Sequence, residues 1–90
     1  MKHIYRPAAA DDIDRAYARY EEERRGLGEE FLAEVTATAK LVVERPEAQT
    51  RRALVHRFPY GLFYRVLGDT VVFVACFHTS RNPALWARRR

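Results

Sequence analysis

Residues 52–86 read RALVHRFPYGLFYRVLGDTVVFVACFHTSRNPALW and contain the segments from which we predict most of a β-sheet. Residues 62–67 and 70–77 are rich in the β-branched and aromatic side chains that favour strands. Gly68 and Asp69 separate them, where a two-residue hairpin loop needs a backbone that tolerates positive φ. The pattern predicts two antiparallel strands, of which the second is apolar on both faces and therefore central.

Another strand is predicted immediately before this hairpin, over residues 52–57. Its alternation would place on one face Leu54, His56 and Phe58. The opposite face would carry Ala53, Val55 and Arg57. Residues 58–61 read FPYG and predict the turn that leads into the following strand.

The N-terminal half predicts one short strand and two helices that cover the sheet. Residues 3–6 form the strand, and Pro7 ends it while suiting the first turn of a helix. We expect Asp11, Asp12 and Asp14 to place negative charge near the start of that helix. Its apolar face comprises Ala9, Ile13, Ala16, Tyr17 and Tyr20.

A second helix follows a glycine-containing break. The charged run at residues 21–25 is interpreted as a solvated helix end, and Gly26 as the C-cap of the first helix. The second helix opens at Glu29 and Glu30 and ends before Pro46. Its predicted buried stripe comprises Leu27, Phe31, Val35, Thr38, Ala39 and Val42, widened by Leu32 and Val43.

The predicted fold class is α+β in the order β-α-α-β-β-β, with a helical hairpin packed on a mostly antiparallel four-stranded sheet. A chain of 90 residues predicts a single domain spanning residues 1–90. So small a domain buries only about 60% of its unfolded surface, which favours a stabilising partner.

Charge is distributed unevenly along the chain. Residues 1–47 carry eight Lys and Arg against eleven Asp and Glu, whereas residues 48–90 carry eight Arg against Asp69 alone. Arginine pairs bidentately with carboxylates and phosphates, so the second half predicts an acidic peptide or nucleic acid as partner. Exposed arginines at sheet edges also discourage aggregation, which is the alternative interpretation.

Cys76 is the only cysteine and lies in an apolar strand, which predicts a packing role in a reducing compartment. No signal peptide is recognisable, and the longest apolar run, residues 71–77, is too short to span a bilayer. We therefore expect a cytoplasmic protein that binds no membrane. No residue spacing matches a metal-ligand or cofactor motif, so neither is predicted.

The order and spacing of several short motifs resemble the RelE/ParE superfamily of toxins from bacterial type II toxin–antitoxin modules, nearer the ParE-like branch. The matching pieces are Tyr5-Arg6-Pro7, residues 25–31 (RGLGEEF), Glu44-Arg45-Pro46, residues 57–60 (RFPY), residues 64–66 (YRV), Phe77-His78, residues 81–83 (RNP) and Trp86. The resemblance implies a growth-arresting toxin that is neutralised by a cognate antitoxin with a disordered acidic tail. ParE-like members are associated with inhibition of DNA gyrase, whereas RelE-like members cleave mRNA on the ribosome.

The residues favour the ParE-like activity. Where RelE-like ribonucleases carry a strand arginine this chain has Gly61, and where they carry a C-terminal tyrosine it has Trp86. The last lysine of the chain is Lys40, so the predicted sheet half contains none. Among the positions compared, only Arg81 matches the RelE-like pattern. RNA cleavage needs a proton-transferring group and several cations around one phosphate. We therefore predict no catalytic residue, and the resemblance to the ParE-like branch then implies a toxin that binds DNA gyrase or another topoisomerase.

The residues predicted to bind the target or the antitoxin are Arg57, Tyr60, Arg65, His78, Arg81 and Trp86. The alternative is a RelE-like mRNA endonuclease acting on RNA at the ribosome, with His56 and His78 as acid and base. The arginines of this set would then hold the phosphate. A structural role is open for His78, as a ring that hydrogen-bonds the chain leaving the last strand, and packing roles for Tyr64 and Trp86. A family member that only binds its antitoxin is a third possibility.

Overall fold

A computed structural model describes residues 1–48 and 51–80, so Arg81 and Trp86 lie outside the described residues. The elements are β1 (Lys2–Tyr5), α1 (Pro7–Glu23), α2 (Leu27–Glu44), a 3₁₀ turn (Pro46–Ala48), β2 (Arg52–Leu54), β3 (Tyr60–Leu67) and β4 (Thr70–His78). This order confirms the predicted α+β class. Neither helix of the described chain combines the length and the apolar composition that crossing a membrane requires.

The four strands form one sheet in the order β1-β4-β3-β2. β1 runs parallel to β4, with Ile4 opposite Val72, and the other two pairs are antiparallel. The β3–β4 hairpin turns at Gly68, whose φ of 61° confirms the predicted need for a residue that tolerates positive φ. Parallel strands need a long crossover, and the helical hairpin between β1 and β2 belongs to that connection.

An irregularity in β4 decides which side chains face the helices. Phe63 lies opposite Ala75 whereas Tyr64 lies opposite Phe73, so Val74 is an extra residue. Because of this bulge, Phe73 and Cys76 both join the core under the helices, while Val74 and Ala75 join a cluster on the other face. β4 is thus buried on both sides, as its composition predicts.

The main core lies between the helices and the sheet. The predicted stripe of α2 is confirmed, since Phe31, Val35, Thr38, Ala39 and Val42 are buried. Leu27, Leu32 and Val43 pack half-buried against the same cluster. Phe31 and Phe73 are completely buried, which at about 25 cal/mol per Å² of apolar area makes them major contributors to stability.

The predicted length and faces of β2 are wrong beyond Leu54. Val55 N–H still donates to the Tyr60 carbonyl at 2.9 Å, but Arg57 then adopts a left-handed backbone with φ of 73°. This reversal directs Phe58 into the core, while Leu54 stays 62% exposed. Phe58 therefore does not share a face with Leu54, because the strand alternation ends before it.

The turn between the helices also differs from the prediction. Gly26 is the N-cap of α2 with φ of 90°, and the C-cap of α1 is Arg24 in an extended conformation. Glu21, predicted to be simply solvated, accepts hydrogen bonds through Oε2 from the amides of Gly26 (3.0 Å) and Gly28 (2.7 Å). A Cβ at Gly28 would lie 2.8 Å from the Tyr17 carbonyl oxygen, so the helices approach too closely there for a side chain.

Asp12 does not serve the helix dipole as expected, since no acidic residue lies in the first turn of α1. It is buried, and its Oδ2 accepts the backbone N–H of Cys76 at 3.0 Å. β1 pairs with β4 only as far as Phe73, beyond which this edge of β4 has no strand neighbour in the described chain. Asp12 supplies the acceptor that a longer β1 would have provided.

Candidate functional site

Arg57 is held by acidic residues of this chain. Its Nη2 donates to Glu30 Oε1 at 2.8 Å, and its Nη1 lies 3.6 Å from Glu34 Oε2. Arg24 binds the other oxygen of Glu30 at 3.0 Å. Hydrogen bonds from Arg57 and Arg24 lower the pKa of Glu30, and the Glu30 bond raises the pKa of Arg57. The predicted binding residue Arg57 therefore already has its charge matched, and it fastens the β2–β3 connection to α2.

The alternative endonuclease hypothesis uses His56 and His78 as acid and base, but the structure gives these two side chains different contacts. His56 is largely exposed, with Nδ1 at 3.7 Å from Glu34 Oε2 on α2. His78 is half-buried at the end of β4, where its ring meets that of Tyr60 edge-on at 5.4 Å. Its Nδ1 accepts the N–H of Ser80 at 3.2 Å. This is the structural role anticipated for His78, a ring that hydrogen-bonds the chain leaving the strand.

Two tyrosines of the sheet are packing residues. Tyr60, which we predicted to bind a partner, is buried in the core, with ring contacts to Phe31 and Tyr20. Tyr64 is also buried and donates its hydroxyl to the Pro46 carbonyl at 2.8 Å. Burial raises the pKa of Tyr64, so its hydroxyl stays a donor. The described structure thus places both rings where they support the sheet.

Arg65 lies in a different setting, on an exposed part of β3. It lines two neighbouring cavities together with Arg51 and Tyr64. Arg51 was missed by sequence analysis, because a loop arginine gives no local signal except its charge. Arg51, Arg52 and Arg65 form no ion pair with the described residues, unlike Arg57. These three arginines are exposed cations in or next to β2 and β3.

Within residues 1–48 and 51–80, no group of three His, Cys, Asp or Glu side chains is placed to hold a metal ion. Cys76 is a buried free thiol, and burial raises its pKa to about 12. A thiol with so high a pKa stays protonated and is a poor nucleophile, which supports the packing role predicted for it.

Comparison of the sequence with models of known families finds a match that covers most of the chain. The family model described as ParE toxin of type II toxin–antitoxin system, parDE, matches residues 4–83. The chain belongs to the ParE toxin family. It is therefore the toxin component of a type II toxin–antitoxin system, which confirms the predicted ParE-like branch.

A solved structure agrees with this assignment. The structure titled "Chromosomal ParDE TA system from P. aeruginosa" superposes with a TM-score of 0.80 and covers 89% of this ParE family chain and 97% of that one. Identity is 16%, so the match shows a common fold and does not transfer residue roles. A search of curated proteins finds no match.

Proposed function

We propose that this ParE family toxin arrests growth in the cytoplasm by binding DNA gyrase or another topoisomerase, without catalysing a reaction itself. A cognate antitoxin with a disordered acidic tail would neutralise it. The observation that carries the proposal is the engagement of the candidate catalytic groups in structural contacts. Arg57 is bound to Glu30, His56 lies beside Glu34, and His78 accepts the Ser80 amide.

Phosphodiester cleavage would require these groups to converge. A base must reach the 2′-hydroxyl, and cations must surround the phosphorane, all within hydrogen-bond distance of one phosphate. In the described residues, His56 and Arg57 are directed toward α2, whereas His78 packs on Tyr60 at the end of β4. These separate engagements support inhibition by binding over an RNA endonuclease.

The exposed arginines support the antitoxin part of the proposal. Arg51 and Arg65 line the same two cavities, Arg52 lies in β2 opposite Phe63, and none of the three has an acidic partner among the described residues. A disordered acidic tail that folds on this surface would match those charges and add buried area to a small core. Arg57 is a weaker candidate for this contact, because a partner would have to displace Glu30 from it.

A supercoiling assay with purified toxin and DNA gyrase tests the target, with topoisomerase IV relaxation run in parallel for the broader proposal. We expect supercoiling to fall as toxin is added and to recover when antitoxin is added. Full activity of both enzymes at saturating toxin would refute the proposal. Transcripts should stay intact after toxin induction, and cuts that disappear in His78→Ala or Arg81→Ala would establish the endonuclease instead.

A further inference from the structure

The connection between β2 and β3, residues 55–59, contacts α2 on one side and the end of β4 on the other. On the α2 side, Arg57 Nη2 donates to Glu30 Oε1 at 2.8 Å. On the β4 side, the Pro59 carbonyl accepts the N–H of Thr79 at 2.9 Å. We propose that the Glu30–Arg57 ion pair positions the chain where it leaves β4, and with it the predicted binding residues at and after that end. Arg57 is then a positioning residue that does not contact the target, and the inference rests on the proposed function for what that target is.

Arg57 is held by two carboxylates that lie one helical turn apart on α2. Its Nη2 is 2.8 Å from Glu30 Oε1 and its Nη1 is 3.6 Å from Glu34 Oε2. The Glu30–Arg57 hydrogen bond is the largest cause both of the lowered pKa of Glu30 and of the raised pKa of Arg57. Because α2 already matches the charge of the guanidinium, a carboxylate of the target would have to displace one of these two partners.

The backbone between the two contacts of the connection is short and constrained. Arg57 has a φ of 73°, in the left-handed region that residues with a side chain rarely adopt. Phe58 is buried, with its ring 5.4 Å from that of Phe31 and 5.5 Å from the Arg57 guanidinium. Its carbonyl accepts the Tyr60 N–H at 2.8 Å, and the ring of Pro59 fixes the next φ. With so few free dihedral angles, a shift of Arg57 must be passed on to Pro59.

The chain that leaves β4 is held by the same connection. Thr79 donates both its N–H and its hydroxyl to the Pro59 carbonyl, at 2.9 and 3.3 Å. The next residue, Ser80, donates its N–H to His78 Nδ1 at 3.2 Å. The predicted binding residue His78 therefore lies within the segment that Pro59 holds, and Arg81 follows that segment directly in the sequence.

The two possible roles of Arg57 predict different effects of Glu30→Gln. If Arg57 bound the target directly, removing the charge of Glu30 would free the guanidinium and leave inhibition unchanged or stronger. If the ion pair positions the end of β4, Glu30→Gln must weaken inhibition as Arg57→Gln does. The double variant E30Q/R57Q must then be no weaker than either single variant, because all three lose the same interaction.

Inhibition of gyrase supercoiling by the full chain, with topoisomerase IV relaxation in parallel, is the first measurement. We expect Glu30→Gln, Arg57→Gln and E30Q/R57Q each to raise the inhibitory concentration by about threefold, the order of effect of an exposed ion pair. R19Q/E22Q is the matched control and should equal the unmodified chain, since it also removes one cation and one anion, but from exposed positions of α1. Unchanged or stronger inhibition by Glu30→Gln, or a double variant weaker than both single variants, would overturn the inference.

Nuclear magnetic resonance of the ¹⁵N-labelled chain separates positioning from a general loss of stability. We expect Glu30→Gln and Arg57→Gln to shift the amide resonances of Thr79 and Ser80 in the folded chain, whereas a loss of stability alone leaves the resonances of the folded state in place. Arg57→Gly should give the same shifts and the same weaker inhibition, because glycine adopts the left-handed backbone readily and keeps the turn without the ion pair. Unchanged resonances of Thr79 and Ser80 in all three variants would overturn the inference.

Growth arrest after induction distinguishes failure of this inference from failure of the proposed function. A chain that inhibits neither topoisomerase refutes the proposed target, and the inducer concentration that halves the growth rate then replaces the inhibitory concentration. We expect that concentration to rise for Glu30→Gln and Arg57→Gln and to stay the same for R19Q/E22Q. Undiminished growth arrest by Glu30→Gln would refute the positioning role whatever the target is.

Discussion

Asp12→Ala tests how β4 is stabilised along the edge beyond Phe73, where the described residues provide no strand neighbour. Asp12 is buried; its Oδ2 accepts a hydrogen bond from the Cys76 N–H at 3.0 Å, and its Oδ1 accepts one from Arg15 Nη2 at 2.9 Å. Alanine removes both acceptors and leaves the buried Cys76 N–H without its protein acceptor on that edge. The substitution therefore measures how much the Asp12 carboxylate contributes to stability by accepting this hydrogen bond.

The size of the effect follows from burial. A hydrogen bond to a charged group contributes about 1.5–3 kcal/mol, and an unsatisfied buried amide costs about 1–3 kcal/mol. The Arg15 pair adds less than about 1 kcal/mol, because the Arg15 side chain is 68% exposed. Alanine has a higher helix propensity than aspartate, which offsets the loss of stability by roughly 0.5 kcal/mol. We expect a net loss of about 2–3 kcal/mol, or a fall in Tm of roughly 10–20 °C for a domain of this size.

Urea and thermal unfolding, followed by circular dichroism, measure this loss. Asp14→Ala is the matched control, since Asp14 is an exposed acidic residue of the same helix and should change stability by less than about 0.5 kcal/mol. Asp12→Asn retains one oxygen acceptor and should fall between the two. A loss below about 0.5 kcal/mol for Asp12→Ala would mean that the edge amide is satisfied without Asp12, and the reasoning would fail.

Four further predictions concern single contacts. Cys76 should not react with a thiol reagent at about pH 8 until the chain unfolds, because burial raises its pKa to about 12; rapid labelling of the folded chain would contradict this. Gly28→Ala should destabilise by about 1–3 kcal/mol in urea, since the new Cβ would meet the Tyr17 carbonyl, and an unchanged midpoint would show that the helices can separate cheaply. Tyr64→Phe should cost about 1 kcal/mol by losing the bond to Pro46, as measured by the same unfolding assay. The pKa of Glu30 is lowered in the folded state, so the stabilisation by its ion pairs is present above the ordinary pKa and lost as pH falls through the folded value. Glu30→Gln should therefore flatten the decline in the free energy of unfolding between about pH 5 and pH 3. Parallel profiles of unfolding free energy against pH for the variant and the unmodified chain would exclude this role.

The helices, the strands and their order could be predicted because each is specified by local periodicity. The apolar stripe of α2 recurs at helical spacing, and the β3–β4 hairpin is marked by a glycine between two strand-forming runs. The identity of β4 as the central strand followed from its apolar residues on both faces. The early end of β2 could not be predicted, because an arginine gives no sequence signal for the left-handed backbone that Arg57 adopts, whereas a glycine would.

The candidate site was predicted less well, since it depends on which charges meet. The binding role predicted for Arg65 stays a prediction, although the structure shows this arginine exposed; its neighbour Arg51 was not selected, and Tyr60 is a core residue. Nothing in the sequence indicates that Arg57 has a partner within the chain, but in the structure α2 places Glu30 and Glu34 beside it. A side chain's charge can be read from sequence, whereas its partner cannot.

The amino-acid sequence by itself determined the α+β class, the helical hairpin, the central strand and the positive charge of the second half, because these follow from composition and short-range spacing. Only the tertiary structure decided how that charge is used. Arg57 meets Glu30 across 27 positions of the chain, and Asp12 meets the Cys76 amide across 64. Such contacts form only after α1 and α2 pack on the sheet, and within residues 1–48 and 51–80 the same packing gives Arg51 and Arg65 no acidic partner.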